Sequence, residues 1–282
     1  MRKTVLLIAA AAVSLSVSAQ SLPLLLIDTD ARQAALCCPG EAGRQETDTF
    51  HADAGYGIWS SSAKSTLLSA NAGYKLPSGL YVGLSAAMMK DSQYDISNVK
   101  GVVTGQYAPH ETVLGLVADY SVKDRITAGI RARYISSALA RYSYATVIGA
   151  DAYCAYASGR MKAALEVCNL GNGADYGYGS YPQPSIVRAS ASIKPFRGFL
   201  LAADADCMFS GAFMAGIGAE YGIADIVFLR AGYHYGPETK AIPSYATLGA
   251  GGKFKGVSVD AVCFLATETL RGTMMFRLGY SF

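Results

Sequence analysis

The sequence lacks the long apolar run of a membrane-spanning helix. Beyond the first 19 residues, no apolar stretch approaches the ~18 residues that a helix needs to cross a bilayer. Charge is also scarce: 16% of the residues are charged and 51% are hydrophobic, which is unusual for a soluble secreted protein. The net charge of +3 is too small for the basic footprint of a nucleic-acid-binding protein. We therefore expect no nucleic-acid partner and no transmembrane helix.

The first 19 residues have the three parts of a secretory signal peptide. Arg2 and Lys3 form the positive region, Val5 to Val17 the apolar region, and Val17-Ser-Ala19 the small-residue cleavage site. An exported chain of this composition, without a membrane helix, can place its apolar surface on the outside of a β-barrel. We predict localisation in the cell outer membrane. The predicted organisation is a signal peptide (1–19), an N-terminal segment or plug (20–53) and an outer-membrane barrel (54–282).

Apolar and polar residues alternate along most of the remaining chain. In the last ten residues, Met274, Phe276, Leu278, Tyr280 and Phe282 share one parity, the pattern of a strand with one apolar face. An aromatic end is typical of the closing strand of outer-membrane barrels, so Phe276, Tyr280 and Phe282 are predicted to form a signal for the barrel assembly machinery. Breaks at Gly, Pro, Asp, Asn or Lys divide the chain into fourteen predicted strands. They are Ala54–Ser61, Ser65–Lys75, Gly79–Lys90, Val113–Val122, Ile126–Leu139, Thr146–Ala157, Met161–Leu170, Ser185–Lys194, Phe199–Phe209, Ala212–Gly222, Ile226–Tyr235, Tyr245–Phe254, Val257–Thr267 and Thr273–Phe282.

The connections between these strands tend to alternate in length. Tight links such as Lys123-Asp-Arg125 alternate with longer ones such as Asp91–Thr112 and Ala140–Ala145, although Ser62-Ala-Lys64 and Ser210-Gly211 are tight where a long link is due. Bacterial outer-membrane barrels have short periplasmic turns, longer outer loops and an even number of strands. The predicted fold class is all-β: a transmembrane antiparallel β-barrel of about 14 strands, with a short N-terminal segment partly in the lumen.

Charged residues fall on the parity opposite to the apolar one. An Arg or Lys facing lipid at mid-membrane costs about 2–4 kcal/mol, so the charged parity is expected to face the lumen. The predicted lumen charge network has seven acidic and seven basic members. They are Asp119, Arg131, Arg133, Asp151, Lys162, Glu166, Arg188, Lys194, Asp204, Asp206, Glu220, Arg230, Asp260 and Arg277. This balance favours ion pairs that fill and stiffen the barrel; a functional polar path is the alternative.

An apolar segment with a helical pattern precedes the first strand. Leu24-Leu-Leu-Ile27 is too apolar for a free tail, and Asp28 or Thr29 is expected to cap a helical turn through Ala31–Leu36. We predict that this segment contacts a ligand or plugs the lumen. The predicted contact residues are Leu24, Leu25, Leu26, Ile27 and Arg32.

This segment, and several others in the same order, resemble the PorV/PorQ family of Bacteroidetes outer-membrane proteins, relatives of the FadL-type transporters. The matching segments are Asp30-Ala-Arg32 with its Ala-rich continuation, Glu166–Gly171, Pro184–Ser190, Gly218–Tyr221 and Leu229–Tyr233. The chain departs from the family at Cys37-Cys-Pro-Gly40, where Met-Gly-Gly-Ala is usual, at Trp59-Ser-Ser-Ser-Ala63, where Trp-Asn-Pro-Ala is common, and in its shorter outer loops. The resemblance implies a FadL-like barrel and a non-enzymatic role in protein secretion.

No constellation of residues indicates catalysis or a cofactor. Of the three histidines, only His234 falls on the lumen parity of a predicted strand, and no serine is singled out beside it. Gly249–Lys253 is glycine-rich but lies in a predicted strand without the following helix that a phosphate site requires. Asp28 and Asp30 alone are too few oxygen ligands for calcium. We expect no enzyme activity, no cofactor and no metal.

The six cysteines do not form a disulfide framework. Cys154 and Cys168 lie on adjacent predicted strands but on opposite faces, so a bond between them would need a register slip. Cys37 and Cys38 are adjacent in sequence, and such a pair bridges only with strain. We expect these two to be reduced or structural.

Three functions are compatible with the sequence. The first follows the resemblance: a non-enzymatic accessory of type IX-like secretion, with secreted cargo or secretion-system subunits as partners. The second is FadL-like transport of small hydrophobic molecules, which requires an apolar pocket under the N-terminal segment. The third is a structural barrel without a substrate. In each case outer-membrane lipid and the barrel assembly machinery are expected partners.

Overall fold

Fourteen of the strands in the computed structural model pair edge to edge into a closed antiparallel barrel, which confirms the predicted fold class. The structure describes residues 22–44, 49–59, 64–123, 125–237, 242–266 and 270–282. The predicted signal peptide lies outside these residues. Within these ranges, no helix has the length and apolar character needed to cross a membrane.

The strands follow the predicted segments closely. In chain order they are β1 (Phe50–Trp59), β2 (Ser65–Lys75), β3 (Leu80–Lys90), β4 (Tyr94–Ser97), β5 (Val103–Tyr107), β6 (His110–Val122), β7 (Ile126–Ala140), β8 (Ser143–Ser158), β9 (Met161–Gly171), β10 (Ala174–Asp175), β11 (Ser180–Tyr181), β12 (Ile186–Ile193), β13 (Phe199–Met208), β14 (Phe213–Ile223), β15 (Val227–Tyr235), β16 (Tyr245–Phe254), β17 (Val257–Ala266) and β18 (Met274–Ser281). The pairs β4–β5 and β10–β11 form separate hairpins, and the other strands form the wall. The barrel closes where β18 pairs with β1, with Ser281 opposite His51 and Met274 opposite Ile58.

The first strand begins earlier than predicted. β1 starts at Phe50, so the predicted barrel boundary at Ala54 is wrong. The prediction assigned His51 and Asp53 to the N-terminal segment, outside the strands. In the structure Asp53 faces inward and pairs with Arg277 on β18 at 3.3 Å, so polarity here reflects a lumen position within the strand.

The predicted long connection at Ala140–Ala145 is also wrong. β7 and β8 continue until Ala140 pairs with Ser143, which leaves a tight turn. The predicted loops Asp91–Thr112 and Gly171–Pro184 contain the two extra hairpins, β4–β5 and β10–β11. The two ends of the barrel therefore differ. At one end, called the tight-turn end, the strands are joined mainly by tight turns. The opposite end, called the loop end, carries the hairpins.

Outward residues of the wall are exposed although many are apolar. Along β8, Val147 and Tyr153 are buried while Ile148 and Tyr156 are exposed, and this alternation runs through most of the strand. Near the tight-turn end, outward aromatic residues form a ring. Its members are Tyr74, Tyr120, Tyr156, Tyr221, Phe254 and Tyr280. An apolar band edged by aromatic residues is the outer surface expected of a membrane barrel.

Residues 22–44, here the plug, fold inside the barrel. A 3₁₀ turn at Pro23–Leu26 precedes a short helix, α1 (Ala31–Leu36), and this helix coincides with the predicted one. Its N-cap is Asp30, whose Oδ1 accepts the backbone N–H groups of Arg32 at 2.8 Å and Gln33 at 3.0 Å. The prediction of Asp28 or Thr29 as the cap is wrong, because only the residue directly before the helix can reach the second and third N–H groups.

Candidate functional site

Helix α1 packs directly on the barrel wall, where glycines allow a close approach. A Cβ at Gly216 or Gly218 on β14 would overlap the carbonyl oxygens of Cys37 and Leu36, respectively. On β16, the Thr247 hydroxyl donates to the carbonyl oxygen of Ala35 at 2.8 Å. The helix contacts β14 to β18, so the plug lies against one side of the lumen.

Arg32 joins the plug to this wall through a bidentate ion pair. Its Nε and Nη2 donate to the two carboxylate oxygens of Glu220, each at 3.0 Å. Its Nη1 donates to the carbonyl oxygen of Gly43 at 2.9 Å, within the plug itself. Glu220 also accepts from Arg230 Nε at 2.6 Å. Bidentate pairs of this kind are among the stronger polar contacts in proteins.

The ion pairs continue along the wall and return to the plug. Arg230 Nη1 donates to Asp260 Oδ1 at 2.6 Å, and Arg277 Nη1 donates to Asp260 Oδ2 at 3.2 Å. Arg277 Nε lies 3.3 Å from Asp30 Oδ2, the same carboxylate that caps α1. The chain of charges therefore begins at Arg32 and ends at Asp30, and both ends belong to the plug.

A second anchor lies where the plug turns at Gly40–Arg44. The backbone N–H of Glu41 donates to Glu166 Oε1 at 2.7 Å, and Arg131 Nη2 donates to Glu41 Oε1 at 3.2 Å. The Ser192 hydroxyl donates to the carbonyl oxygen of Ala42 at 2.6 Å. These contacts connect the plug to β7, β9 and β12, which lie across the lumen from the strands that α1 contacts.

Other predicted lumen residues pair along the wall. Arg188 donates through Nε and Nη2 to the two oxygens of Asp206, each at 2.7 Å. Arg131 Nη1 donates to Asp151 Oδ2 at 3.0 Å, and Arg133 contacts the same oxygen. Most of the lumen charges described by the structure thus have a partner of opposite sign.

At the loop end, the plug begins in an apolar pocket. Leu22 is 1% exposed and packs among Ile135, Val147, Ala174 and Tyr176. The last two belong to the β10–β11 hairpin or its connection, and the Tyr176 hydroxyl donates to Ser137 Oγ at 2.9 Å. This hairpin therefore covers the start of the plug.

A cavity of about 290 Å³ is left between the plug and the barrel wall. Near the loop end it is lined by Leu24–Ile27 with Val113 and Ile186, and near the tight-turn end by His51 and Tyr81. Its middle is lined by charged residues of the plug and the wall, namely Asp30, Arg32, Glu41, Asp53, Arg131, Arg133, Arg188 and Arg277. Wall residues from β1, β2, β3 and β6 border it, where small side chains such as Ser85 and Ala87 leave space.

Two plug carboxyl groups are held in opposite protonation states. Burial raises the pKa of Asp28 to about 8, and the neighbouring Asp30 adds to this effect; the Oδ2 atom of Asp28 is buried without a hydrogen bond. For Glu41, burial also opposes ionisation, but the positive charges of Arg44 and Arg131 outweigh it and hold the pKa of this carboxyl below its usual value. Glu41 is thus a charged anchor, whereas Asp28 is a protonated one at neutral pH.

Thirteen of the fourteen predicted lumen charges face the interior, and Lys194 does not. It lies beyond the end of β12 and is exposed in the turn to β13, where its backbone N–H donates to the carbonyl oxygen of Arg160 at 2.8 Å. The strand parity does not extend into a turn. Lys162 is half-buried and its charge acts on Glu41. The predicted plug contacts Leu24 and Ile27 are buried in the apolar core with Ala35, Met89 and Phe264.

The sequence prediction missed four charged residues of this site. They are Asp30, Glu41, Arg44 and Asp53. None falls in a predicted strand, so parity gave no information about them. The Asp30-Ala-Arg32 spacing before an Ala-rich run was the available signal for Asp30, because it matches a capped helix.

The thiols and acidic groups give no indication of a redox or metal centre. All six cysteines are free, with Cys37, Cys38 and Cys168 buried and Cys154 and Cys207 exposed. Burial raises the pKa of the Cys37 thiol to about 12, so it is a protonated packing group. Among the described residues, no three His, Cys, Asp or Glu side chains lie together as metal ligands.

The fold is shared with solved transporter barrels of very different sequence. No protein-family model matches the chain, and no curated protein matches it. The toluene transporter TbuX of Ralstonia pickettii superimposes with a TM-score of 0.60 at 13% identity, over 92% of this chain and 100% of TbuX. The toluene transporter TodX of Pseudomonas putida superimposes with a TM-score of 0.57 at 11% identity, over 94% of this chain and 93% of TodX. The monoaromatic hydrocarbon channel CymD superimposes with a TM-score of 0.62 at 13% identity, over 94% of this chain and 98% of CymD.

At these identities the similarity establishes the fold alone: the chain has the closed barrel fold of these hydrocarbon transporters. The printed descriptions of these neighbours are those of transporters and channels. The comparisons do not support the narrower PorV/PorQ resemblance, so that assignment stays a prediction.

Proposed function

We propose that this chain is an outer-membrane channel that passes small, uncharged hydrophobic molecules. The observation that carries the proposal is the cavity beside the plug, because it is lined by residues from both ends of the barrel. Its loop-end part is formed by Leu24–Ile27, the apolar pocket that such a function requires. The similarity of the fold to toluene transporters supports the same conclusion.

The cavity favours a small and neutral solute. Its volume of about 290 Å³ is at the lower limit of ligand pockets in proteins, which span roughly 300–1,000 Å³. Each charged side chain in its middle has a partner of opposite sign, either in the lining or on the adjoining wall, as Arg32 has in Glu220 and Arg188 in Asp206. These side chains therefore offer no unpaired charge to an ion. A monoaromatic hydrocarbon has a suitable size and polarity. It would enter at the apolar loop end, and the plug would have to yield for it to pass the charged middle.

Outer-membrane location is part of the proposal. The outward faces of β8 and the other wall strands expose large apolar side chains, and a ring of aromatic residues borders the tight-turn end. This surface is suited to lipid rather than water. With the tight-turn end in the periplasm, Phe282 lies there beside Phe50, and the centroids of the two rings are 5.3 Å apart. The role of Phe276, Tyr280 and Phe282 in assembly belongs to the same proposal.

The test is uptake of toluene by liposomes that contain the purified barrel. Ala87→Phe would place a ring in the cavity beside β3, whereas Ala118→Phe adds the same ring on the outward face of β6. We expect the first variant to lose most of the uptake and the second to keep it. Equal uptake by both variants, or no uptake above protein-free liposomes by the wild type, would refute the proposal.

The secretion-accessory function is the second candidate, and its support is the ordered series of PorV/PorQ-like segments in the sequence. It predicts that secreted proteins or secretion-system subunits co-purify with the tagged barrel from outer membranes. Recovery of the barrel alone would count against it. A structural barrel is the third candidate. It is favoured by the paired lumen charges, and it predicts neither uptake nor co-purifying protein.

A further inference from the structure

The tight-turn end of the barrel carries an exposed rim of basic side chains. Lys123 and Arg125 flank the β6–β7 turn, Arg160 lies in the β8–β9 turn, Arg197 in the β12–β13 turn and Lys255 in the β16–β17 turn, and all five are exposed. Here these residues are called the basic rim. Among the described residues of these turns and of the β14–β15 turn, Asp225 is the acidic member; Asp124 stands between Lys123 and Arg125 in the sequence but lies outside the described residues.

The basic rim lies next to the ring of outward aromatic residues. Lys255 follows Phe254, and its ammonium nitrogen lies 5.3 Å from the centre of the Phe254 side-chain ring. Arg125 directly precedes β7, whose first residue, Ile126, pairs with the exposed Tyr156 near the end of β8. Aromatic side chains mark the level of lipid headgroups in membrane proteins. The rim therefore lies at, or just beyond, the headgroup layer.

Within the part of the chain that the structure describes, few of the rim charges are neutralised by a carboxylate. Arg160 Nη1 donates to the carbonyl oxygen of Pro195 at 2.7 Å, which leaves its charge uncompensated. Arg197 contacts Asp225 at 3.0 Å, but the two side chains are 91% and 64% exposed. The attraction between the charges of such an exposed pair is weak. At the loop end, by contrast, exposed Lys64, Lys90, Lys100 and Arg141 are interspersed with Asp91, Asp95 and Asp175.

We infer that the basic rim binds the anionic headgroups of phospholipids in the leaflet at the tight-turn end. Each basic residue at a membrane surface strengthens binding to anionic lipid by about fivefold. Guanidinium and ammonium groups are also natural donors to phosphodiester oxygens. The inference rests on the membrane location that is part of the proposed function, but it does not depend on solute passage.

The test counts lipids bound to the full chain by native mass spectrometry. The barrel is purified in the presence of equal amounts of phosphatidylglycerol and phosphatidylethanolamine with the same acyl chains. The rim variant combines Lys123→Gln, Arg125→Gln, Arg160→Gln and Lys255→Gln. The matched control combines Lys64→Gln, Lys90→Gln, Lys100→Gln and Arg141→Gln at the loop end. Lys255→Gln alone serves as a milder second variant.

We expect the wild type and the loop-end control to retain phosphatidylglycerol preferentially. The rim variant should lose this preference, and Lys255→Gln should weaken it by up to about fivefold. Resistance of each barrel to SDS at room temperature verifies its fold, and the single variant keeps the test valid if the fourfold variant does not fold. The inference is wrong if the wild type shows no preference, or if the rim variants and the control retain equal amounts. A barrel that binds phosphatidylglycerol but takes up no toluene would refute the transport proposal alone.

Discussion

The ion pair between Arg32 and Glu220 is predicted to hold the plug in the lumen. Glu220→Gln keeps the size of the side chain and removes its charge. Arg32 is 8% and Arg230 5% exposed, so the variant would leave two buried guanidinium groups short of a partner. Breaking a buried pair from one side costs about 3–5 kcal/mol. We use the lower value, because Arg32 still donates to Gly43 and Arg230 still donates to Asp260.

The measurement is the rate at which a water-soluble maleimide labels Cys37 and Cys38. These thiols belong to the plug and are 2% and 0% exposed in its docked position. The other four cysteines are first replaced by alanine. When the plug closes faster than the reagent reacts, the labelling rate follows the population of the displaced state. A loss of about 3 kcal/mol corresponds to labelling roughly 100-fold faster than in the parent.

The control is Arg197→Gln, which removes an ion pair of the same 3.0 Å length at the surface. An exposed pair contributes no more than about 1 kcal/mol and this one does not touch the plug, so labelling should not change. The reasoning fails if Glu220→Gln labels at the parent rate, or if Arg197→Gln accelerates labelling equally.

Two further predictions concern the same plug. Gly218→Ala places a Cβ against Leu36 and should destabilise plug docking by about 1–3 kcal/mol, which would be measured as faster labelling. The control is Gly105→Ala, which has open space around it and should not change the labelling rate. Unchanged labelling of Gly218→Ala would contradict the close contact. In the docked plug the pKa of Asp28 is raised from 3.8 to about 8. Between these two pH values the docked state therefore binds more protons than the displaced state, so docking should weaken as the pH rises from about 4 to about 8. Asp28→Asn should therefore dock better than the wild type at pH 9 and equally below pH 4, and identical pH profiles of labelling would show that Asp28 is not the responsible group.

The wall of the barrel could be read from the sequence because its information is local. Successive residues of a strand point to opposite faces, so the apolar parity of β18 and the charged parity of β7 were visible without knowledge of their neighbours. The cost of a charge in lipid then fixed which face is inner. The rule does not apply at Lys194, which lies in a turn. It does apply at His51 and Asp53, but these residues were left out of the predicted first strand.

The plug was only partly predictable. The Ala31–Leu36 helix and the apolar Leu24–Ile27 segment were recognised, and the helix forms where expected. The segment was predicted to lie partly in the lumen, but the strands that it packs against were not, because they depend on glycines of β14 that look like ordinary strand residues in the sequence. Gly216 and Gly218 acquire their role only when Cys37 and Leu36 lie against them.

The sequence alone thus determined the strands, their inward and outward faces and the closing of the barrel by its last strand, since these follow from a period of two and from the cost of charge in lipid. Only the tertiary structure decided the partners. Arg32 and Glu220 are 188 residues apart, and the pair forms because barrel closure and plug position bring them together. The cavity has the same origin: it is the space left when the plug packs on one side of the lumen and small residues line the other.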